Sequence, residues 1–207
     1  MLLELDSVYV GYSGGRDVLS GASLLLERGE RLVICGDNAS GKSTLLRVAA
    51  GLLKPRAGTV RYAGASSPAF LFQNPREQLI CTTVLEEIEF ALRLCGEPTE
   101  KLSERAAELL ERFELDTFAA RAPQALSGGQ MQRLALAALF CRAPELLLLD
   151  EPDVFLDGRS RRDFRSFVER LDKNVAVLWM ISRQSEFPEQ GRRMRLRDGR
   201  LAELDKR

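Results

Sequence analysis

The chain is 207 residues long, enough for one well-buried domain with room for an inserted subdomain. Its 30 basic residues balance 30 acidic ones, which excludes a general polyanion binder such as a nucleic-acid coat protein. Four cysteines, Cys35, Cys81, Cys95 and Cys141, lack the close pairs of a zinc or redox motif, and they read as reduced, buried thiols of a cytosolic protein. The N-terminal MLLELDSVYV has neither the basic start nor the long apolar stretch of a signal peptide, and the longest apolar run, 134–141, is too short to span a bilayer.

In chain order, LLELDSVYV and ASLLLERGERLVICG flank the glycine-rich turn GYSGGR and predict an antiparallel pair that feeds a core strand, RLVIC. That strand runs into GDNASGKST and then a helix, TLLRVAAGLL, stopped by Lys54-Pro55. TVRYAG and AFLFQ are further short strands. From 82 to 125 the apolar period becomes helical, with TVLEEIEFALRL and SERAAELLERFEL, and this segment reads as an inserted helical subdomain. LSGGQ opens another helix through LALAALF. LLLLD and VAVLWMIS are continuous apolar runs of the kind buried on both faces of a parallel sheet, and MRLRDGRLAEL is a hairpin turning on Asp198-Gly199. The fold expected is α/β: a phosphate-loop core with a mainly parallel sheet, an N-terminal antiparallel β part and an inserted helical part. One domain spans 1–207, with 1–81 and 131–207 as the core and about 82–130 as the helical part.

Two stretches point to phosphate chemistry. Gly36, Gly41, Lys42 and Ser43 stand at the G-x-x-x-x-G-K-S spacing of a loop between a strand and a helix. Backbone N–H groups of such a loop, here Gly36 through Asn38, Ala39, Ser40 and Gly41, curl around an anion at the positive end of the helix. Lys42 reaches the β- and γ-phosphates of a nucleotide, Ser43 ligates Mg²⁺, and Thr44 adds a hydroxyl near the α-phosphate. LLLLDEP supplies acidic partners: Asp150 ends a buried strand where it can hold Mg²⁺ through water, and Glu151 can take a proton from the water that attacks the γ-phosphate. An acidic pair at this place can equally cap the next helix. Gln73, at the end of AFLFQ, can bond Mg²⁺ or the attacking water, or be a surface residue. In LSGGQ, Ser127 and the N–H groups of Gly128 and Gly129 form a second anion-binding turn at a helix start. A serine cap explains the first of these residues but not the second glycine or Gln130.

GDNASGKST, FQNP, LSGGQMQR, LLLLDEP and FLD stand in the order and spacing of the ATP-binding subunits of ABC transporters, which the whole chain resembles. FQNPREQLICTTVLEEIEFAL is most similar to the ATPases of energy-coupling factor importers, which take up vitamins or transition-metal ions. The resemblance implies ATP and Mg²⁺ as cofactors, with Tyr12 at the position of the aromatic that stacks on adenine. It implies a head-to-tail dimer with a second ATPase subunit, identical or different. Each ATP then lies between the phosphate loop of one subunit and Ser127, Gly128, Gly129 and Gln130 of the other, with Asp157 on the turn that crosses to the partner. It implies integral membrane transport subunits as partners, no nucleic acid, and a peripheral place on the cytoplasmic face of the cell membrane. A regulatory partner that binds nucleotide but turns it over weakly is a second reading. Soluble ATPases of the same type fit less well, because they carry paired cassettes or long coiled-coil insertions.

Three departures from the family pattern stand out. Ala39 replaces a frequent glycine, a mild change if the residue keeps φ below zero. Asp153 and Phe155 replace the small residues usual before Leu156 and Asp157. Arg183 stands where relatives have a histidine that contacts the γ-phosphate, and the chain contains no histidine at all. The arginine is either a permanently charged phosphate contact or a solvated loop residue.

Overall fold

A computed structural model describes residues 1–12, 17–182, 187–188 and 191–204. It divides into two compact units, 1–70 with 145–151 and 171–207, and 71–144 with 152–170.

The first unit holds two sheets. In the smaller one β1 (Leu3–Gly11) lies between β2 (Asp17–Leu26) and β4 (Ala57–Tyr62), antiparallel to both, as the flanking hydrophobic runs predict. Leu3, Leu5, Val8 and Val10 are buried while Glu4 and Asp6 are not. That set breaks strict alternation between Leu5 and Val8, and the chain absorbs the odd residue at Ser7, whose φ is 49°, so that the apolar side chains stay on one face.

The larger sheet runs in the order β5 (Ala69–Leu71), β6 (Leu146–Asp150), β7 (Ala176–Ile181), β3 (Arg31–Cys35), β8 (Arg192–Arg197), β9 (Arg200–Glu203). β6, β7, β3 and β8 are mutually parallel, and β8 and β9 form the antiparallel hairpin that turns through Asp198 (φ 50°) and Gly199 (φ 71°). Every residue of β6 and β7 is buried, which is why these segments read as unbroken apolar runs. The hairpin tip is tied to the smaller sheet by Ser20 N donating to Gly199 O at 2.8 Å. The helix after the phosphate loop, α1 (Lys42–Ala49), is shorter than expected. It ends not at Lys54-Pro55 but at Gly51 (φ 72°), where the N–H of Leu52 turns back to Arg47 O in a glycine-dependent helix stop.

The second unit is helical: α2 (Val84–Leu94), α3 (Leu102–Arg112), α4 (Gly128–Phe140) and α5 (Gly158–Glu169). Phe113 is fully buried, with Phe140 and Phe167 at ring distances of 5.3 and 5.4 Å. α2 starts with a reciprocal cap between Thr83 and Glu86, and buried Glu87 accepts from the N–H groups of Ile80 and Cys81 at 2.9 and 2.8 Å. The expected boundary at 130/131 falls inside α4. A continuous helix does not divide, so the helical unit keeps all of α4 together with α5, which packs on it. α5 had no place among the expected elements, although Asp157 followed by Phe164, Phe167, Val168 and Leu171 is a capped helical pattern.

All four cysteines are free, but only Cys35 is buried. Cys81 and Cys141 are half-buried and Cys95 is exposed, because the last two close helices α2 and α4 at their outer ends. Burial pushes the Cys141 thiol up to about 12. Among the described residues no helix is long and apolar enough to cross a membrane.

Candidate functional site

Register assembles the site in the first unit. Asp150, the last residue of β6, pairs with Met180 of β7, and Met180 pairs with Ile34 of β3, so the two strand ends that carry chemistry stand level at the same edge of the sheet. The chain leaves β3 through Gly36. A Cβ there would lie 2.6 Å from Ser40 Oγ and 2.8 Å from the Leu196 carbonyl, so no larger residue fits. Gly41, the residue before α1, has φ 102° and would press a Cβ against Val18 Cγ1 at 3.0 Å. Both glycines of the motif are thus demanded by the backbone.

Ala39 is not the mild change expected. Its φ is 62°, on the left-handed side, because the loop needs that conformation whichever residue occupies it. An alanine there carries roughly 1 kcal/mol of strain that glycine would not.

Lys42 is buried. Its Nζ donates to Gly36 O at 2.7 Å and Asp37 O at 2.8 Å, and it pairs with Glu151 Oε1 at 3.0 Å. Ser43 Oγ donates to Asp150 Oδ1 at 3.1 Å, and the hydroxyls of Thr44 and Tyr12 lie 3.2 Å apart. Tyr12, Lys42, Ser43, Thr44, Asp150 and Glu151 are therefore brought together around the start of α1. Glu151 also has a left-handed φ of 46°, as the chain turns sharply out of β6. Asp37, Asn38 and Ala39 are exposed, and with Ser40 they form one wall of a cleft of about 830 Å³. Its other walls are Asp17, Val18 and Ser20 of β2 and Leu196, Arg197, Asp198 and Gly199 of the hairpin.

Asp150 is the electrostatically costly member. Burial raises its pKa, the neighbouring Glu151 carboxylate raises it further, and the Ser43 hydrogen bond offsets them only in part. A hydroxyl and an underneutralised carboxylate are hard oxygen donors suited to Mg²⁺. Among the described residues no group of three or more acidic, histidine or cysteine side chains could by itself hold a metal ion. Asp150→Asn is therefore expected to stabilise the protein in chelator, raising its thermal midpoint. A carboxyl whose pKa is raised by folding favours the folded state at acid pH and loses that contribution as pH rises through the folded value. The advantage of asparagine should accordingly be present at neutral pH and vanish below about pH 4, measured by calorimetry in chelator.

The second unit carries the other residues. Ser127 caps α4 by accepting from Gln130 N, while Gln130 Oε1 accepts from Ser127 N at 2.9 Å. The reciprocal cap accounts for Gln130, contrary to the reading from sequence, and S-x-x-Q is the signal that reveals it. The second glycine stays unaccounted for by packing. At Gly128 a Cβ would meet only the movable end of Leu156, at 2.8 Å, and at Gly129 it would make ordinary contact with Ser160 at 3.6 Å. Neither glycine has a positive φ. Two helix-weakening residues are kept in the first turn, where N–H groups have no intrahelical acceptor.

Gln73 is exposed in the loop after β5. Asp157 caps α5, accepting from Arg159 N, Ser160 N and Ser160 Oγ at 2.9, 2.9 and 3.0 Å, which hold its carboxyl below the usual range. Asp153 is buried and paired with Arg165 at 2.6 Å, which accounts for a charge where a small residue is usual, whereas Phe155 is 73% exposed. Sequence reasoning missed Gln132, 2% exposed, whose amide donates to the carbonyls of Gln73 and Pro152. Its signal was a polar residue on the apolar face of α4. Arg183 lies outside the described residues.

Residues 19–154 match the family described as ABC transporter. A putative ABC transporter ATP-binding protein of Nitratidesulfovibrio vulgaris is 40% identical over 190 residues, which cover 86% of this chain and 70% of the relative. The energy-coupling factor transporter ATP-binding protein EcfA1 of Lacticaseibacillus paracasei is 34% identical over 91% of this chain and 73% of its own. Among solved structures, the dimeric post-hydrolysis state of the ATP-binding cassette MJ0796, bound to ADP and Pi, superposes with a TM-score of 0.81 at 27% identity, covering 99% of this chain and 100% of that one.

Proposed function

The chain belongs to the ABC transporter family, and from that premise we propose that it is the ATP-driven motor subunit of an importer of the energy-coupling factor type. The observation that carries this reading is the pairing of Lys42 with Glu151 and of Ser43 with Asp150 at one sheet edge. Bound Mg-ATP supplies a γ-phosphoryl group that can pass to water, with the cation neutralising phosphate charge. Lys42 and the loop N–H groups hold the phosphates, Ser43 and Asp150 hold the ion, and Tyr12 faces the base. Glu151 takes the proton of the attacking water, which Gln73 helps to orient.

The turn at Ser127, Gly128 and Gly129 serves a second subunit. One subunit has no use for two cradles around one γ-phosphate, and the N–H groups at the start of α4, which lack intrahelical acceptors, fit the phosphate held by a partner's loop. Closure around ATP and release after hydrolysis, when the bridging charge is gone, would then rock membrane subunits docked on the helical unit. The protein is peripheral on the cytoplasmic face in this reading.

The absence of histidine favours a second reading, a weakly hydrolysing partner in a heterodimer. Histidine can donate with one ring nitrogen and accept with the other, aligning phosphate, water and Glu151, whereas arginine has no acceptor and does not titrate. Arg183→His is expected to raise turnover about tenfold, equivalent to roughly 1.4 kcal/mol of barrier. Steady-state phosphate release from both proteins checks this. Brisk wild-type turnover that falls in the histidine variant makes Arg183 the working residue and the chain a full motor. No turnover in either form, alone or with a second subunit, overturns the motor reading.

A further inference from the structure

Within α4, Gln132 lies five residues after Ser127, about 7.5 Å along the helix axis. Its side chain is 2% exposed, and its Nε2 donates to two main-chain carbonyls: Pro152 O at 2.5 Å and Gln73 O at 3.4 Å. Gln73 belongs to the loop after β5, and Pro152 directly follows Glu151 in sequence. One amide thus fastens both segments to the helix whose first turn is the signature LSGGQ. No proline or glycine interrupts that helix between Gln130 and Phe140, so a displacement at Ser127 is carried to Gln132 undiminished.

The segment beyond Pro152 is braced as well. Arg165 pairs with buried Asp153, and Arg161 donates to the carbonyls of Asp153 and Leu156 at 3.3 and 3.2 Å. Those braces come from α5. Gln132 reaches both the 152–157 segment and the Gln73 loop.

We propose that Gln132 is a positioning residue for ATP hydrolysis, a strut that makes the Gln73 loop and the segment after Glu151 respond together when an anion engages the start of α4. The inference rests on the motor reading above. Gln132 acts through main-chain carbonyls and touches no reacting group itself. Methionine at 132 keeps length and bulk but donates no hydrogen bond. Alignment of the two loops would be lost, while the phosphate loop, which lies in the other compact unit, would stay intact.

The test is steady-state phosphate release against Mg-ATP concentration for wild type, Gln132→Met, Gln73→Ala and the double variant. Gln132→Met should lower kcat about tenfold with KM changed less than about twofold, and the double variant should be no slower than the slower single one, because both act along one route. An unchanged kcat, a loss confined to KM, or losses that multiply in the double variant would overturn the strut. Were wild type itself inactive, the motor reading would fail separately. Amide exchange would then decide the strut: exchange should quicken together in 73–78 and 152–157 of Gln132→Met, and a change in only one segment, or in neither, refutes it. If methionine prevents folding, Gln132→Asn, which keeps the amide but withdraws it by one methylene, carries the same comparisons.

Discussion

Lys42→Ala is expected to lower ATP affinity about 100-fold, roughly 2.7 kcal/mol, measured by titration calorimetry. The lysine is the buried cation of the loop, and its ammonium already faces three oxygens: two loop carbonyls and the Glu151 carboxylate. On the proposed reading phosphate would exchange the carboxylate for a stronger anion and keep the carbonyl contacts. Deleting the lysine also strands Glu151, a buried charge without its partner, which destabilises the fold by about 3 kcal/mol. The two effects separate in the variant that carries Glu151→Gln as well, since a neutral amide needs no counterion. That protein should recover much of the lost thermal stability and none of the lost affinity beyond a few-fold.

Glu151→Gln alone has the larger effect on chemistry. On the proposed reading it removes the base while keeping shape, and hydrolysis should fall by about 100-fold or more, the range typical of a lost general base. Binding should move the other way. On the proposed reading the carboxylate, which pairs with Lys42, would compete with phosphate for it and repel the γ-phosphate, and both penalties would vanish with the charge. A gain of about fivefold in ATP affinity, roughly 1 kcal/mol, is expected together with the loss of turnover. Equal losses in binding and turnover would mean that Glu151 serves the loop's structure instead of the reaction.

Much of this site was legible in the sequence, for a physical reason that differs from part to part. The phosphate loop was legible because Gly36 and Gly41 have no permitted substitutes, one by close approach and one by φ. β6 and β7 were legible because burial on both faces leaves only apolar residues. Ala39 misled, since a residue's rarity in left-handed backbone says nothing once the surrounding loop dictates that conformation. The end of α1 was misplaced because proline is the louder signal, while Gly51 completes the actual stop four residues earlier. Gln130 was read as unexplained by a cap when it is half of one.

Other features could not be read from one chain. Gln132 shows in sequence only as a polar residue on the apolar face of α4, and its partners Gln73 and Pro152, 59 and 20 positions away, are brought to it by folding. The Asp153–Arg165 pair is likewise a tertiary product, visible in sequence only as a charge out of pattern. The level pairing of Asp150 with Ile34 across β7 depends on strand order and register, which apolar runs do not specify.

The central claim, that ATP joins the phosphate loop of one subunit to Ser127, Gly128 and Gly129 of another, is tested most directly by light scattering of purified Glu151→Gln protein with and without saturating Mg-ATP. The account predicts a monomer without nucleotide, a mass doubled by Mg-ATP, and no doubling with Mg-ADP or when Ser127→Arg is added to block the turn. A Glu151→Gln protein that binds Mg-ATP and remains a monomer, or a dimer indifferent to nucleotide and to Ser127→Arg, would contradict it.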